Sequence, residues 1–159
     1  MAALGRAQVV TVSDRSHAGA REDTSGPLLA SLLTGLGLEL APVVVVPDDV
    51  SAIAGAVRTA ASANDLVVTT GGTGLSPRDV TPEAVRPLLD REVPGLGEAL
   101  RQQGRDVLPT TVLSRSLAGT IGRTLIVTLP GSTGGVRDGV TVLAPVLAHA
   151  LAQLRGSDH

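Results

Sequence analysis

A strand-like apolar run, Leu66-Val67-Val68, passes through Thr69-Thr70 straight into Gly71-Gly72-Thr73-Gly74-Leu75-Ser76-Pro77-Arg78-Asp79, and a strong helix start, Thr81-Pro82-Glu83, follows. A strand, a loop almost without side chains and a helix in that order is the connection used in sheets whose strands run parallel and whose helices cover them. The loop also exposes backbone N–H groups beside a cation and a carboxylate, a combination suited to a phosphorylated ligand that arrives with a metal ion.

The rest of the chain repeats that alternation. Gln8 to Ser13 reads as a buried strand and Asp14 to Thr24 as a polar loop. Ser25-Gly26-Pro27 opens a helix with Leu28, Leu29, Leu32, Leu33 and Leu36 on its apolar face and Gly37 at its end. Leu38 to Val46 is expected to be one valine-rich strand stopped by Pro47. Asp48-Asp49 leads into a helix over Ser51 to Ser62, with Ile53, Val57 and Ala60 at helical spacing, and Leu66 to Thr70 is the third strand. Thr81 is expected to cap a short helix reaching Leu89, and Leu96 to Arg105 another. Val107 to Arg123 reads as extended or loop segments without a clear period. Leu125 to Leu129 is a strand, Pro130-Gly131-Ser132-Thr133-Gly134-Gly135 a second glycine loop, and Val136 to Leu154 one long helix. The expectation is a single domain over residues 1–159, an α/β fold of three layers with a mostly parallel sheet. In such sheets ligands bind past the carboxyl ends of the strands, where the loops beginning at Asp14, Asp48, Gly71 and Gly131 should gather.

Composition narrows the chemistry. No Phe, Tyr or Trp is present, so no ring can stack on a base, which argues against a single-stranded nucleic-acid partner. All 13 basic residues are arginines, which removes a lysine nucleophile, a Schiff base and a P-loop lysine. The net charge of −2 gives no reason to expect a polyanion partner. Without cysteine there are no disulfides and no thiolate metal site. No run approaches the ~18 apolar residues of a membrane span, and Met1 to Arg6 lacks a signal-peptide core; a cytoplasmic location without a membrane partner is the expectation. The histidines at 17, 149 and 159 have no zinc-ligand spacing. His17 is placed near the strand-end loops, His149 within the last helix, and His159 in a loose terminus.

Each candidate has a structural reading beside the chemical one. Gly71-Gly72-Thr73-Gly74 is either a phosphate loop or a tight turn needing positive φ; it fits neither the Walker A nor the dinucleotide spacing. Asp79 is a turn residue or, with Asp48, a carboxylate for Mg²⁺, which takes one or two protein carboxylates plus phosphate oxygens. Asp48 and Asp49 compete for the roles of ligand residue and helix initiator. Arg78 would neutralise phosphate or sit solvated in its loop. Ser13-Asp14 would bind ligand or cap a turn, and Pro130, Gly131 and Ser132 would present N–H and hydroxyl groups to a phosphate or simply turn the chain.

With both glycine loops placed, the chain resembles the MogA/MoaB family of molybdenum-cofactor biosynthesis proteins, a group related to the G domain of gephyrin. The matching pieces are Thr11-Val12-Ser13-Asp14, Ser25-Gly26-Pro27, Pro47-Asp48, Thr70-Gly71-Gly72-Thr73-Gly74, Arg78-Asp79-Val80-Thr81-Pro82-Glu83, Pro94-Gly95-Leu96-Gly97-Glu98 and Leu129-Pro130-Gly131-Ser132, in the family's order. The resemblance implies a molybdopterin-binding fold, a homotrimer, and conversion of molybdopterin and Mg-ATP into adenylyl-molybdopterin and pyrophosphate. A separate molybdenum-insertion protein is the implied partner. The family's two critical aspartates fall on Asp48 and Asp79, expected at the Mg²⁺ and phosphate site.

Asp79-Val80-Thr81-Pro82 follows the active branch. The Gly131-Ser132-Thr133 run looks MoaB-like and lacks a following lysine, for which Arg137 is the candidate substitute. A non-catalytic molybdopterin carrier is therefore the alternative, and a nucleotide-hydrolysing domain of the competence-damage type a more distant one. With no aromatic residue, pterin and adenine rings must rest on backbone, polar or aliphatic groups. The pure protein should show no tryptophan emission, so any indole-like signal in a ligand titration must come from ligand or contaminant.

Overall fold

The computed structural model describes residues 2–157; His159 lies outside them. Seven strands form one sheet. Strand β1 (Gly5–Val12) lies beside β4 (Leu66–Thr70), which lies beside β7 (Thr124–Leu129), and all three are parallel. β2 (Leu38–Leu40) and β3 (Val44–Val46) both pair with the other edge of β1, also parallel. Beyond β7 the sheet turns antiparallel through β6 (Ala118–Ile121) and β5 (Arg91–Glu92). The mostly parallel expectation therefore holds for the half of the sheet that carries the glycine loops.

The central strands are apolar on both faces because both faces are covered. Val9, Val68 and Val127 point into one layer, packed with Leu29 and Leu33 of α2 (Ser25–Gly35), Val136, Val140 and Leu143 of α6 (Thr133–Leu143), and Leu147 and Leu151 of α7 (Leu147–Leu154). Val10, Val67 and Ile126, one residue out of step, face the other layer with Ile53, Val57 and Ala60 of α3 (Val50–Ala61) and Ala84 and Val85 of α4 (Thr81–Val85). The two-residue period of the strands thus sorts one apolar run into two cores. The cross-strand register aligns Thr11 with Thr70 and Thr70 with Leu129, so the three strands end level.

Four expectations required correction. Leu38 to Val46 is two short strands, because Pro42 has no N–H to give the ladder; across the gap Ala41 N–H donates to the Ala7 carbonyl (2.9 Å) and Gln8 Nε2 to the Pro42 carbonyl (2.9 Å). The last helix is two, α6 and α7, separated by Ala144-Pro145-Val146, since a proline cannot accept the helix interior. The loop after β1 holds a one-turn helix, α1 (Asp14–His17), with the Ser13 hydroxyl accepting from Ser16 N–H at 3.1 Å. Thr81 is the first residue of α4 and not its cap; its hydroxyl donates to the Gly71 carbonyl at 2.9 Å. The segment over Val107 to Arg123 resolves into a 3₁₀ turn, Pro109–Leu113, and strand β6. Helix α5 (Pro94–Gln102) occupies most of the span assigned to Leu96–Arg105.

Leu33 is fully buried between α2 and the sheet. Leu33→Ala should cost about 2–5 kcal/mol, read as a lower urea midpoint with unchanged slope.

Candidate functional site

The strand order places β1 between the β2/β3 edge and β4, with α2 on one face of the sheet and α3 on the other. The chain thus winds outward from β1 and then returns past it, a switch point that opens a crevice at the carboxyl ends of β1 and β4. A cavity of about 890 Å³ fills that crevice and extends over the end of β7. This volume lies toward the upper end of the range of ligand pockets.

Its floor is the meeting of the two glycine loops. Gly71 N–H donates to the Leu129 carbonyl (2.9 Å) and the Thr70 hydroxyl to the Pro130 carbonyl (2.8 Å). A Cβ on Gly131 would lie 3.3 Å from Gly71 Cα. Gly71 and Gly72 have φ of 109° and 71°, values only glycine adopts readily. A Cβ at Gly71 would meet the Val12 carbonyl, and one at Gly72 the Thr81 hydroxyl. Thr81 also donates its N–H to the Gly72 carbonyl at 3.1 Å. The sterics therefore force the β4 loop to turn sharply over the end of β1. Among the described residues the N–H groups of Gly72, Thr73 and Gly74 have no protein acceptor. At the β7 loop the Ser132 hydroxyl caps α6 by accepting from Gly135 N–H at 3.0 Å, and Ser132, Gly134 and Gly135 face the cavity. Two sources of anion-binding backbone therefore share one space.

The acidic residues divide by role. Asp49 caps α3, its carboxylate accepting from Ala52 N–H at 2.9 Å, which leaves Asp48 to face the cavity. Asp48 and Asp14 hold each other: Asp14 N–H donates to Asp48 Oδ2 (3.0 Å) and Asp48 N–H to Asp14 Oδ1 (2.9 Å). Arg78 grips Asp14 from outside with Nε at 3.0 Å and Nη2 at 2.9 Å from Oδ2. Asp79 enters the cavity wall, with its Oδ2 accepting from Ser76 N–H at 3.1 Å and standing where a Cβ on Gly74 would approach to 2.8 Å. Burial pushes the Asp48 carboxyl above its ordinary range; the Asp14 N–H opposes this, and the charges of Asp14 and Asp79 add to the rise. The Asp48 N–H, then the Arg78 guanidinium, hold Asp14 below that range. The unrelieved negative charge therefore sits on Asp48, toward Asp79.

Ser13, Asp48, Gly71, Gly72, Thr73, Gly74, Asp79, Pro130, Gly131 and Ser132 all line the cavity. Asp14 and Arg78 do not; they form the ion pair behind Asp48. His17 ends α1 on the exposed side, outside the cavity wall. Arg137 borders a separate shallow depression with Leu32 and Val140 and does not line this cavity. Sequence reasoning passed over Arg21, which does line the cavity, as does Asp138. Asp138 lies four residues after Gly134 on one helix, a spacing that could have placed it there. Leu100 of α5 and Val107, Leu108 and Leu113 of the segment that follows add aliphatic groups to the lining, interspersed with Gln103, Thr110, Thr111 and Ser114.

Residues 8–149 match the family model described as a probable molybdopterin binding domain. The chain belongs to this family. A molybdenum cofactor biosynthesis bifunctional protein of Synechococcus elongatus is 46% identical over 96% of this chain and 48% of its own length. The first such relatives are longer, and the chain spans about half the length of two of them and 21% of a third. A molybdopterin adenylyltransferase of Pyrococcus furiosus is 39% identical over 92% of this chain and 89% of its own. The crystal structure of a molybdopterin biosynthesis protein from Mycobacterium abscessus superposes with a TM-score of 0.90 at 48% identity, covering 95% of this chain and 96% of that one. The molybdopterin-binding fold of the MogA and MoaB structures is thus the fold of this family member.

The shifts at Asp48 set a stability test. Because its carboxyl is raised in the folded state, ionisation opposes folding as pH climbs through the folded value, and the penalty is absent below the unfolded value. Asp48→Asn keeps an oxygen for the Asp14 N–H and loses the charge. The variant should melt about 1–3 °C higher near neutral pH, with the gain vanishing toward about pH 3.

Proposed function

We propose that the chain is a molybdopterin adenylyltransferase. A terminal phosphate oxygen of molybdopterin attacks the α-phosphorus of ATP; the new P–O bond forms as the bond to the β-phosphate oxygen breaks, and pyrophosphate leaves. The observation that carries this reading is the pair of carboxylates, Asp48 and Asp79, on the wall of one cavity whose floor presents the unpartnered N–H groups of the β4 loop and whose side is the amino end of α6. Volume favours two substrates side by side over a single small anion.

Nucleophile and leaving group both belong to the substrates, so the chain needs no cysteine or lysine, and it has neither. Its work is placement and charge neutralisation. The glycine-loop amides and the α6 terminus would hold phosphate oxygens, and Arg21 would add positive charge from the rim. The aliphatic groups of Leu100, Val107, Leu108 and Leu113 would receive a flat ring without aromatic stacking. A carboxylate pair suits Mg²⁺ better than zinc. In such a site phosphate oxygens would complete the coordination that two carboxylates begin. Asp48 and Asp79 would hold Mg²⁺, which would screen the phosphate charge against the approaching nucleophile. The reading carries with it the family's homotrimer, a cytoplasmic setting and a molybdenum-insertion partner.

The test is molybdopterin-dependent pyrophosphate release from Mg-ATP, compared with Asp79→Asn. The variant should fold normally and lose turnover by roughly a hundredfold or more. Pterin binding by the wild type without pyrophosphate release would instead make the chain a carrier.

A further inference from the structure

Arg115 has no part in the cavity wall, yet two of its guanidinium nitrogens bond the loop that carries Asp79 and the third bonds Glu83 at the start of α4. Nε donates to the Gly74 carbonyl at 2.9 Å and Nη2 to the Asp79 carbonyl at 2.8 Å. Nη1 donates to both oxygens of Glu83, at 2.9 and 2.7 Å. Its own N–H donates to the Thr73 carbonyl at 2.8 Å. The two loop carbonyls bracket Leu75, Ser76, Pro77 and Arg78, all exposed. Apart from Arg115, the stretch is tied outward through Arg78 on Asp14, a contact at the exposed side, and inward only by bonds of its own, Asp79 N–H to the Ser76 carbonyl and Ser76 N–H to Asp79 Oδ2.

The other end of this clamp is rigid. Ser116 is 1% exposed, its carbonyl accepting from Arg101 Nη1 at 2.8 Å. Leu117 N–H then donates to the buried Thr128 hydroxyl, and Thr128 N–H returns to the Leu117 carbonyl, both at 2.9 Å, fastening the segment to β7. A planar fork with fixed donor directions is the one side chain that holds two carbonyls and a carboxylate at once.

We propose that Arg115 is the positioning residue for Asp79, transferring the fixed position of the segment fastened to β7 to the two carbonyls at the ends of the exposed loop. Its catalytic consequence rests on the adenylyltransferase reading; its structural consequence rests on the geometry alone. Because the loop is exposed, water can satisfy the Gly74 and Asp79 carbonyls once the guanidinium is gone. The folded state then loses little stability, while Asp79 loses its place.

Hydrogen–deuterium exchange of residues 72–80 in Arg115→Ala and Arg115→Lys, beside wild type, is the deciding measurement. Exchange at the hydrogen-bonded amides of that stretch, Ser76 and Asp79, should rise roughly tenfold with β4, β6 and β7 unchanged and the melting temperature within a few degrees of wild type. Lysine, a single point charge, should behave nearly as alanine does. Pyrophosphate release should fall roughly a hundredfold, the Mg²⁺ concentration for half-saturation should rise, and ethylguanidinium should restore part of the loss to the alanine variant alone. Unchanged exchange in 72–80, or an increase spread evenly over the sheet, would overturn the proposal. If wild type releases no pyrophosphate, the functional reading fails, and the exchange comparison still decides the role of Arg115. If the alanine variant does not fold, the lysine variant carries the same comparison.

Discussion

The contact of Gly71 with Gly131 is the constraint on which the site depends. A Cβ on Gly131 would press on Gly71 Cα, and one on Gly71 would meet the Val12 carbonyl at the end of β1. The approach is locked by the Gly71 N–H on the Leu129 carbonyl and the Thr70 hydroxyl on the Pro130 carbonyl. Once those bonds are made, the β4 loop must fold back over β1, and Thr81 must turn its hydroxyl inward instead of capping its helix. Helix α4 thereby begins without a side-chain cap, the local loss being offset by a buried hydrogen bond to Gly71.

Electrostatics follow from that geometry. The turn carries Asp79 toward Asp48, whose ionised form is already disfavoured by burial and by Asp14. Three carboxylates at one sheet edge would repel one another, and the fold relieves only one of them, by giving Asp14 to Arg78. The remaining charge on Asp48 and Asp79 has no protein cation against it at bonding distance among the described residues. In the proposed adenylyltransferase reading, a cation arriving with the phosphates would meet that charge.

Local chemistry made much of this legible. Strands β1, β4 and β7, helices α2 and α3 and both glycine loops were readable because apolar periodicity, glycine and proline act over a few residues. Where proline was overlooked, at Pro42 and Pro145, an element was drawn too long. Arg115 and Arg21 left no trace in local pattern: Arg115 acts on carbonyls 36 and 41 residues away in the chain, and an arginine in a loop looks the same whether solvated or engaged. Asp48 and Asp49, adjacent and chemically identical, separated only when one side chain was seen capping α3.

The sequence by itself determined the alternation of strand and helix, the exclusion of thiol, lysine and aromatic chemistry, and the position of two glycine-rich loops. Those properties belong to single residues and short windows. Tertiary structure alone decided which aspartate faces the cavity, that Arg78 is spent on Asp14, that Arg137 points elsewhere, and that a distant arginine holds the Asp79 loop. Each of those depends on which groups the sheet brings within about 3 Å of one another, and hydrogen bonding at that range depends on distance through space and not along the chain.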